Sequence, residues 1–381
     1  MVEFLPEELK VEILKRVRNK ELLRCTAVCK SWYALIKSCF FIFQTHLPHV
    51  QSSNSNPHLV ILCHYFDPND YVMSFHDDDT EEFSECHLPA HFYNYSNLSL
   101  FASCNGLLLF RDYSEYILWN PSICRSLTLP KPKLKNGEEL CGLGFDSTTN
   151  DFKVLRILCD FVFTEPRSIV VKAEIYSVNA ASWKNITHIA PQYKIPYNIY
   201  FQQQCIPFVN GALHMIAHDC KDKGHNLVLV FDVKDEIFRE ILLPHCLQNA
   251  LLDMLFVIAY GQSIAVVHFD NSGIWNDIWV MKEYGVYDSW TNLGKLQNEE
   301  YASAAVFLRK NGQFMIDSGL GKIFSFDFAT QTFIDLFPGV EEMDENGSAS
   351  VFSYIETLAL LDRGNFGDES SRSQNLGDAT N

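Results

Sequence analysis

Positive charge is in short supply. The 381 residues hold 30 Lys and Arg against 47 Asp and Glu, a formal net charge of −17. That balance argues against nucleic acid, whose phosphate backbone demands cations, as a main partner. Long apolar runs are missing too. The best of them, residues 251–260, falls far short of the roughly 20 residues a membrane-crossing helix needs. The opening Met1-Val2-Glu3-Phe4-Leu5-Pro6-Glu7-Glu8 puts acid and proline where a secretory signal has a basic patch and an apolar run. A cytoplasmic or nuclear chain, away from membranes, is therefore expected. No disulfide framework is visible either: the twelve cysteines are scattered and, in a reducing compartment, read as small buried hydrophobes. Nucleotide loops are absent. There is no G-x-x-x-x-G-K-[ST], and Gly142-x-Gly144 lacks the third glycine of a dinucleotide fingerprint.

What is present divides the chain in two. Residues 1–47 carry eight basic and five acidic side chains, leaving a net −20 for the remainder. The first part also has helical periodicity. Pro6 suits a first helical turn, where its missing N–H costs nothing. Glu7 and Glu8 lie at the positive end of the helix dipole. Leu9, Ile13, Leu14 and Val17 recur at i, i+4, i+5 and i+8, the spacing of one helix face. Val28, Cys29, Trp32, Leu35 and Ile36 form a second such set, with Leu22 and Leu23 in a short helix between. About 45 residues bury too little by themselves. Their apolar faces must pack either on the following domain or on a separate helical partner, and periodicity leaves both open.

The residues themselves shift that balance. Phe4-Leu5-Pro6-Glu7-Glu8-Leu9, Glu12-Ile13-Leu14-Lys15-Arg16-Val17, Leu22-Leu23-Arg24-Cys25, Val28-Cys29-Lys30-Ser31-Trp32 and Leu35-Ile36 together resemble the F-box motif. The resemblance implies a three-helix module, residues 1–47, that binds a Skp-type adaptor and through it a cullin-based ubiquitin ligase. It carries an adaptor-facing role to Leu5, Pro6, Leu9, Ile13, Leu14, Val17, Leu22, Leu23, Val28, Cys29, Trp32 and Ile36. Some of these twelve must instead form the module's own core, and the sequence does not say which. The motif usually has proline where Arg18 stands, a departure expected to loosen the turn before Asn19-Lys20.

Residues 48–58 read as a polar linker. Beyond it, β-branched and aromatic runs alternate with turn signals, and five stretches look alike. They are Tyr116-Ile117-Leu118-Trp119-Asn120-Pro121-Ser122; Ala173 to Val178, closing at Trp183; Val228 to Val233, closing at Phe238; Asp277 to Met281, closing at Trp290; and Ile323 to Phe328, closing at Phe333. Each is a strand, a polar turn and an aromatic or apolar residue opening the next strand. The closing aromatics lie 55, 52 and 43 residues apart. A strand-rich period near 50 marks kelch-type propeller blades, small sheets buried only by their neighbours. The expected architecture is mainly β: the three-helix module, a kelch-like β-propeller over 59–361, and a disordered tail at 362–381.

Ser103-Cys104-Asn105-Gly106-Leu107-Leu108, Leu118-Trp119-Asn120-Pro121-Ser122, Gly142-Leu143-Gly144-Phe145-Asp146, Asn210-Gly211-Ala212-Leu213-His214 and Tyr354-Ile355-Glu356-Thr357-Leu358 resemble the F-box-associated (FBA) kelch-like domain of plant F-box proteins. The last of these is similar to S-locus F-box proteins of pollen. The resemblance implies a non-catalytic receptor subunit of a Skp–cullin–F-box ligase. Such a subunit holds a target protein on the propeller for ubiquitination and proteasomal degradation, and needs no cofactor. The acid surplus points to a basic target, and the basic secreted ribonucleases (S-RNases) bound by S-locus relatives fit that description. Two other readings stay open: a propeller scaffold without ligase docking, and a metal-dependent propeller enzyme.

Candidates for chemistry are few. His214, His218 and Cys220 are close in sequence, but four residues of extended chain span some 13 Å, so ordinary strand residues are expected rather than metal ligands. Cys25 and Cys29 are one helical turn apart and read as core. The acid runs Asp77-Asp78-Asp79-Thr80-Glu81-Glu82 and Glu341-Glu342-Met343-Asp344-Glu345 read as solvated loops.

Overall fold

In the computed structural model, which describes residues 5–52, 58–64, 71–77, 82–95, 98–112, 115–135, 137–162, 168–196, 206–220, 224–269, 275–297, 304–309, 311–317, 322–336 and 348–362, helices come first and strands follow. Helices α1 (Glu7–Leu14), α2 (Asn19–Cys25) and α3 (Lys30–Ile36) appear where the apolar spacing places them. The sequence gives no hint of what comes next. A π-helix spans Phe40–His46, and its wider turn carries Phe41, Ile42 and Phe43 all into the core. Helix α4 (Leu47–Ser52) continues from it. The start of the expected linker is therefore helical, because Leu47 has a buried seat; residues 53–57 lie outside the described part.

The strands form six four-stranded antiparallel sheets among the described residues. The first contains β1 (His58–His64), β2 (Tyr71–Asp77) and β3 (Glu82–Cys86). The second is β4 (Leu98–Cys104), β5 (Leu107–Asp112), β6 (Glu115–Asn120) and β7 (Arg125–Thr128). The third is β8 (Glu138–Asp146), β9 (Asp151–Val162), β10 (Ser168–Ser177) and β11 (Ser182–Asn185). The fourth is β12 (Phe208–Val209), β13 (Ala212–Asp219), β14 (His225–Asp232) and β15 (Ile237–Leu242). The fifth is β16 (Leu255–Tyr260), β17 (Ser263–Phe269), β18 (Trp275–Met281) and β19 (Trp290–Gln297). The sixth is β20 (Ala304–Leu308), β21 (Phe314–Asp317), β22 (Ile323–Asp327) and β23 (Thr332–Asp335). The final strand, β24 (Ser348–Tyr354), returns to the first sheet and pairs β1, from His58↔Tyr354 to His64↔Ser348. Inner strands touch in a cycle: β24 to β4, β4 to β8, β8 to β12 and β13, β13 to β16, β16 to β20, and β20 back to β24. The sheets are thus blades of a closed β-propeller. Trp183, Phe238, Trp290 and Phe333 all lie in the outermost strands of their blades, as their spacing predicts.

Five turns share one construction. A polar side chain at the end of a strand accepts amides just ahead of it, and the residue four positions on is left-handed. The pairs are Asn120 and Cys124, Asp146 and Asn150, Ser177 and Ala181, Asp232 and Glu236, and Asp327 and Gln331. The side chain supplies the bond that the backbone lacks there. Gly142 and Gly144 also find a reason. A Cβ at 142 would meet Ile206 at 3.1 Å, and one at 144 would meet Val233 at 2.6 Å. They let blade three lie close against blade four. Blades two and three are joined by buried Arg156, which donates to Glu139 at 2.9 Å, Glu174 at 2.5 Å, the Leu134 carbonyl at 2.8 Å and the Tyr116 hydroxyl at 3.0 Å.

The helices do not stand apart from this ring. Leu14, Leu22, Ile36, Phe41 and Phe43 share one apolar cluster with Leu107, Leu118 and Phe145 of the blades and with residues 358–361. The Phe43 ring sits 5.6 Å from Phe145 and 6.2 Å from Phe152. Gln51 donates to Asn105 at 2.9 Å. Of the two arrangements that periodicity left open, packing on the following domain is present for one helical face, while another face stays bare.

Candidate functional site

The bare face begins with α1. Pro6 leads in at φ −51° and ψ 148°, and Glu7 and Glu8 occupy the first turn. Successive helical residues are 100° apart, so the apolar sector of α1 is too wide for one contact. It splits into two stripes. Leu14 is sealed in the core at 1% exposure, with Val11 packed beside it. Leu9 and Ile13, four residues apart, point to solvent at 50% and 51%. Leu5 and Pro6 are exposed with them.

The same division runs through α2 and α3. Leu22 and Ile36 are fully buried, and Leu23 and Trp32 are half-buried against the core. Val28, between the helices, is 59% exposed. Cys29 caps α3, its sulfur accepting from the Trp32 amide at 3.5 Å. Of the twelve residues carried over from the motif, Leu14, Leu22 and Ile36 belong to the core. They are enclosed by the propeller cluster. Val17, Leu23, Cys29 and Trp32 lie at the margin. Leu5, Pro6, Leu9, Ile13 and Val28 form the open face.

Two residues join the exposed apolar set that the motif did not supply. Tyr33 and Phe40 are about half exposed. Lys37 lies over the Tyr33 ring at 5.0 Å and donates to its hydroxyl at 3.1 Å. Tyr33, Lys37 and Phe40 stand at i, i+4 and i+7, a spacing that was available in the sequence. Charged pairs flank the apolar carbons: Lys15 with Glu12, and Arg24 with Glu21. The Lys15 hydrogen bond holds the Glu12 carboxyl below its ordinary value. Exposed apolar side chains with charged pairs beside them are the ingredients of a protein-docking site.

The histidine candidates fall on strand β13, as expected. His214 is buried, and its Nε2 shares a 2.6 Å hydrogen bond with the Tyr284 hydroxyl. Burial pushes its pKa down to about 4. His218 pairs instead with Asn226 at 2.8 Å. Among the described residues no three His, Cys, Asp or Glu side chains converge as metal ligands, and no helix is long and apolar enough to cross a membrane. Most of the first acid run and all of the second lie outside the described residues.

Comparison with known proteins fits this geometry. Residues 60–358 match the F-box associated beta propeller domain, and residues 2–46 match the F-box-like family. The chain belongs to the F-box-associated β-propeller family. Among its relatives in Arabidopsis thaliana, F-box protein CPR1 is 26% identical over 80% of this chain and 76% of its own. F-box/kelch-repeat protein At3g23880 is 25% identical over 76% and 78%. F-box protein At3g07870 is 27% identical over 76% and 72%.

The family's words also acquire a physical meaning. Asn105-Gly106, Asn120-Pro121-Ser122 and Tyr354 to Leu358 are far apart in sequence and meet in space. Asn120 donates to the carbonyls of Thr357 at 3.0 Å and Ala359 at 2.8 Å. Ser122 donates to Thr357 O at 2.9 Å, and the Thr357 hydroxyl donates to Asn105 O at 3.0 Å. In this F-box-associated propeller, the conspicuous motifs fasten the ring.

Proposed function

We propose that the chain is the client-recognition subunit of a Skp–cullin–F-box ubiquitin ligase. The open face of the helical module takes a Skp-type adaptor, which brings the cullin, and the propeller holds the client. The observation that carries this reading is the split within α1: Leu9 and Ile13 stay exposed while Leu14, on the same helix, is sealed. A helix that merely capped the propeller would have no use for the outer stripe. The chain itself makes and breaks no bond in this scheme. It raises the effective concentration of client lysines beside a ubiquitin-charged enzyme, and degradation follows from that transfer. Such work belongs to the cytoplasm or nucleus.

The net −20 of residues 48–381 favours a basic client drawn in by the field. A basic ribonuclease of the S-locus kind is the narrow form of that idea. Its support is the charge alone, because residues 354–358, which carry the S-locus likeness, are engaged in closing the ring.

The test is co-purification with a Skp-type adaptor. The paired substitution Leu9→Asp and Ile13→Asp is expected to weaken capture by more than about thirtyfold, as for central apolar contacts, with the melting temperature nearly unchanged. Leu14→Asp is expected to unfold the module instead. A wild-type chain that ignores the adaptor overturns the reading.

A further inference from the structure

Directly after β24, residues 355–362 stay against the molecule. Residues 355–361 run as a strap, and residues 358–361 are buried in the cluster that also holds Leu14, Leu22 and Ile36 of the helices. The strap is tied to blade two by directional bonds. Asn120, itself buried, donates to the carbonyls of Thr357 and Ala359, while its oxygen accepts from the Ser122 amide at 3.1 Å and lies 2.7 Å from the Ser122 hydroxyl, whose one proton it shares with the Thr357 carbonyl. The bonding capacity of that amide is used in full, so its orientation is unique. The Tyr354 hydroxyl adds a 3.1 Å bond to Ser122. At the far end, the Cys39 thiol donates weakly to Asp362.

Apolar contact alone lets short helices slide, because hydrophobic attraction has no direction. Hydrogen bonds with narrow angular tolerance do not. The strap's own register is therefore fixed through Asn120, so the apolar seat that it offers the helices cannot itself shift.

We propose that the strap, with Asn120 as its positioning residue, sets the angle at which a bound adaptor leaves the propeller. This rests on the adaptor reading above, since only an attached ligase gives the angle a use. The same seven residues would then finish the ring and aim the docking module.

The experiment uses the full chain, with a donor and an acceptor dye carried on non-natural amino acids at Lys30 and Lys234, both exposed. The wild type is expected to give one narrow distance distribution. Asn120→Ala broadens it markedly, and Thr357→Val, which removes the bond to Asn105 and a 3.4 Å bond from the Ala359 amide but leaves both Asn120 bonds, broadens it less. Adaptor affinity stays within about twofold, because neither substitution alters a residue of the open face. A purely stabilising role lowers the melting temperature without broadening the distances in the folded protein. Should Asn120→Ala fail to fold, Thr357→Val and Leu360→Ala decide the matter. A narrow distribution in folded variants, or a broad one in the wild type, overturns the proposal. Failure of the wild type to bind adaptor removes the ligase reading but leaves the distance measurement standing as a result on module seating.

Discussion

Ile13 and Leu14 are neighbours in sequence and opposites in the fold. One is half exposed and the other enclosed, yet both satisfy the same periodic pattern. Pattern reading located the helix but could not divide its apolar sector, because the division depends on where the propeller lies. Arg18 shows the converse case, in which a departure from the motif leaves the structure intact. Its backbone sits at φ −59° and ψ 146°, inside the range that a proline ring imposes. The turn is closed by its carbonyl, which accepts from Glu21 and Leu22 at 2.9 Å each. The lead into α2 holds the shape that proline would impose without needing the ring. Arg18→Pro should therefore stabilise the module by about 0.4–1 kcal/mol, through a less free unfolded chain. Urea denaturation of the two proteins measures this, and a loss of stability would show that the arginine amide is needed.

At the level of elements, the five strand–turn–strand stretches were legible because their signals are local. A β-run, a polar turn and an aromatic lie within some twenty residues of one another. Asn105-Gly106 and Asn210-Gly211 were readable as tight turns for the same reason, and all four residues do have positive φ. Their surroundings were not readable. A Cβ on Gly211 meets nothing within 4 Å, whereas one on Gly106 would strike the Thr357 side chain and stand 2.7 Å from the Ile355 carbonyl. Gly211→Ala should cost only its backbone strain, about 1–2 kcal/mol. Gly106→Ala should cost about 1–3 kcal/mol more, since overpacking is added to strain. Equal losses in a denaturation series would show that the strap yields freely. The Arg156 junction was equally hidden. Glu139, Arg156 and Glu174 sit on three different strands, and nothing in their spacing announces a buried ionic cluster.

At the scale of the whole molecule, two of the imidazoles buried among the described residues are ones that acid should exploit. His46 and His214 are both enclosed, and burial lowers each pKa from 6.5 to about 4. His46 has no partner for its Nδ1. An unfolded histidine takes up a proton as pH falls through 6.5, while these two resist until about 4. Stability is therefore full above pH 6.5 and declines between 6.5 and 4, by up to about 1.4 kcal/mol per pH unit for each group. Melting at pH 7.5 and 5.5 tests this. The wild type should lose several degrees, and His46→Leu with His214→Gln should flatten the slope; a flat wild-type profile would refute it. The number of blades was beyond sequence reading, because closure joins strands nearly three hundred residues apart. That pairing of β1 with β24 has a consequence for synthesis. While the ribosome is still adding residues, the first blade waits with an open inner edge, and neither circle nor helical seat is complete until the last strand emerges. A premature stop codon late in the message would thus yield a product that has built every other blade and still presents raw edges to the quality-control machinery.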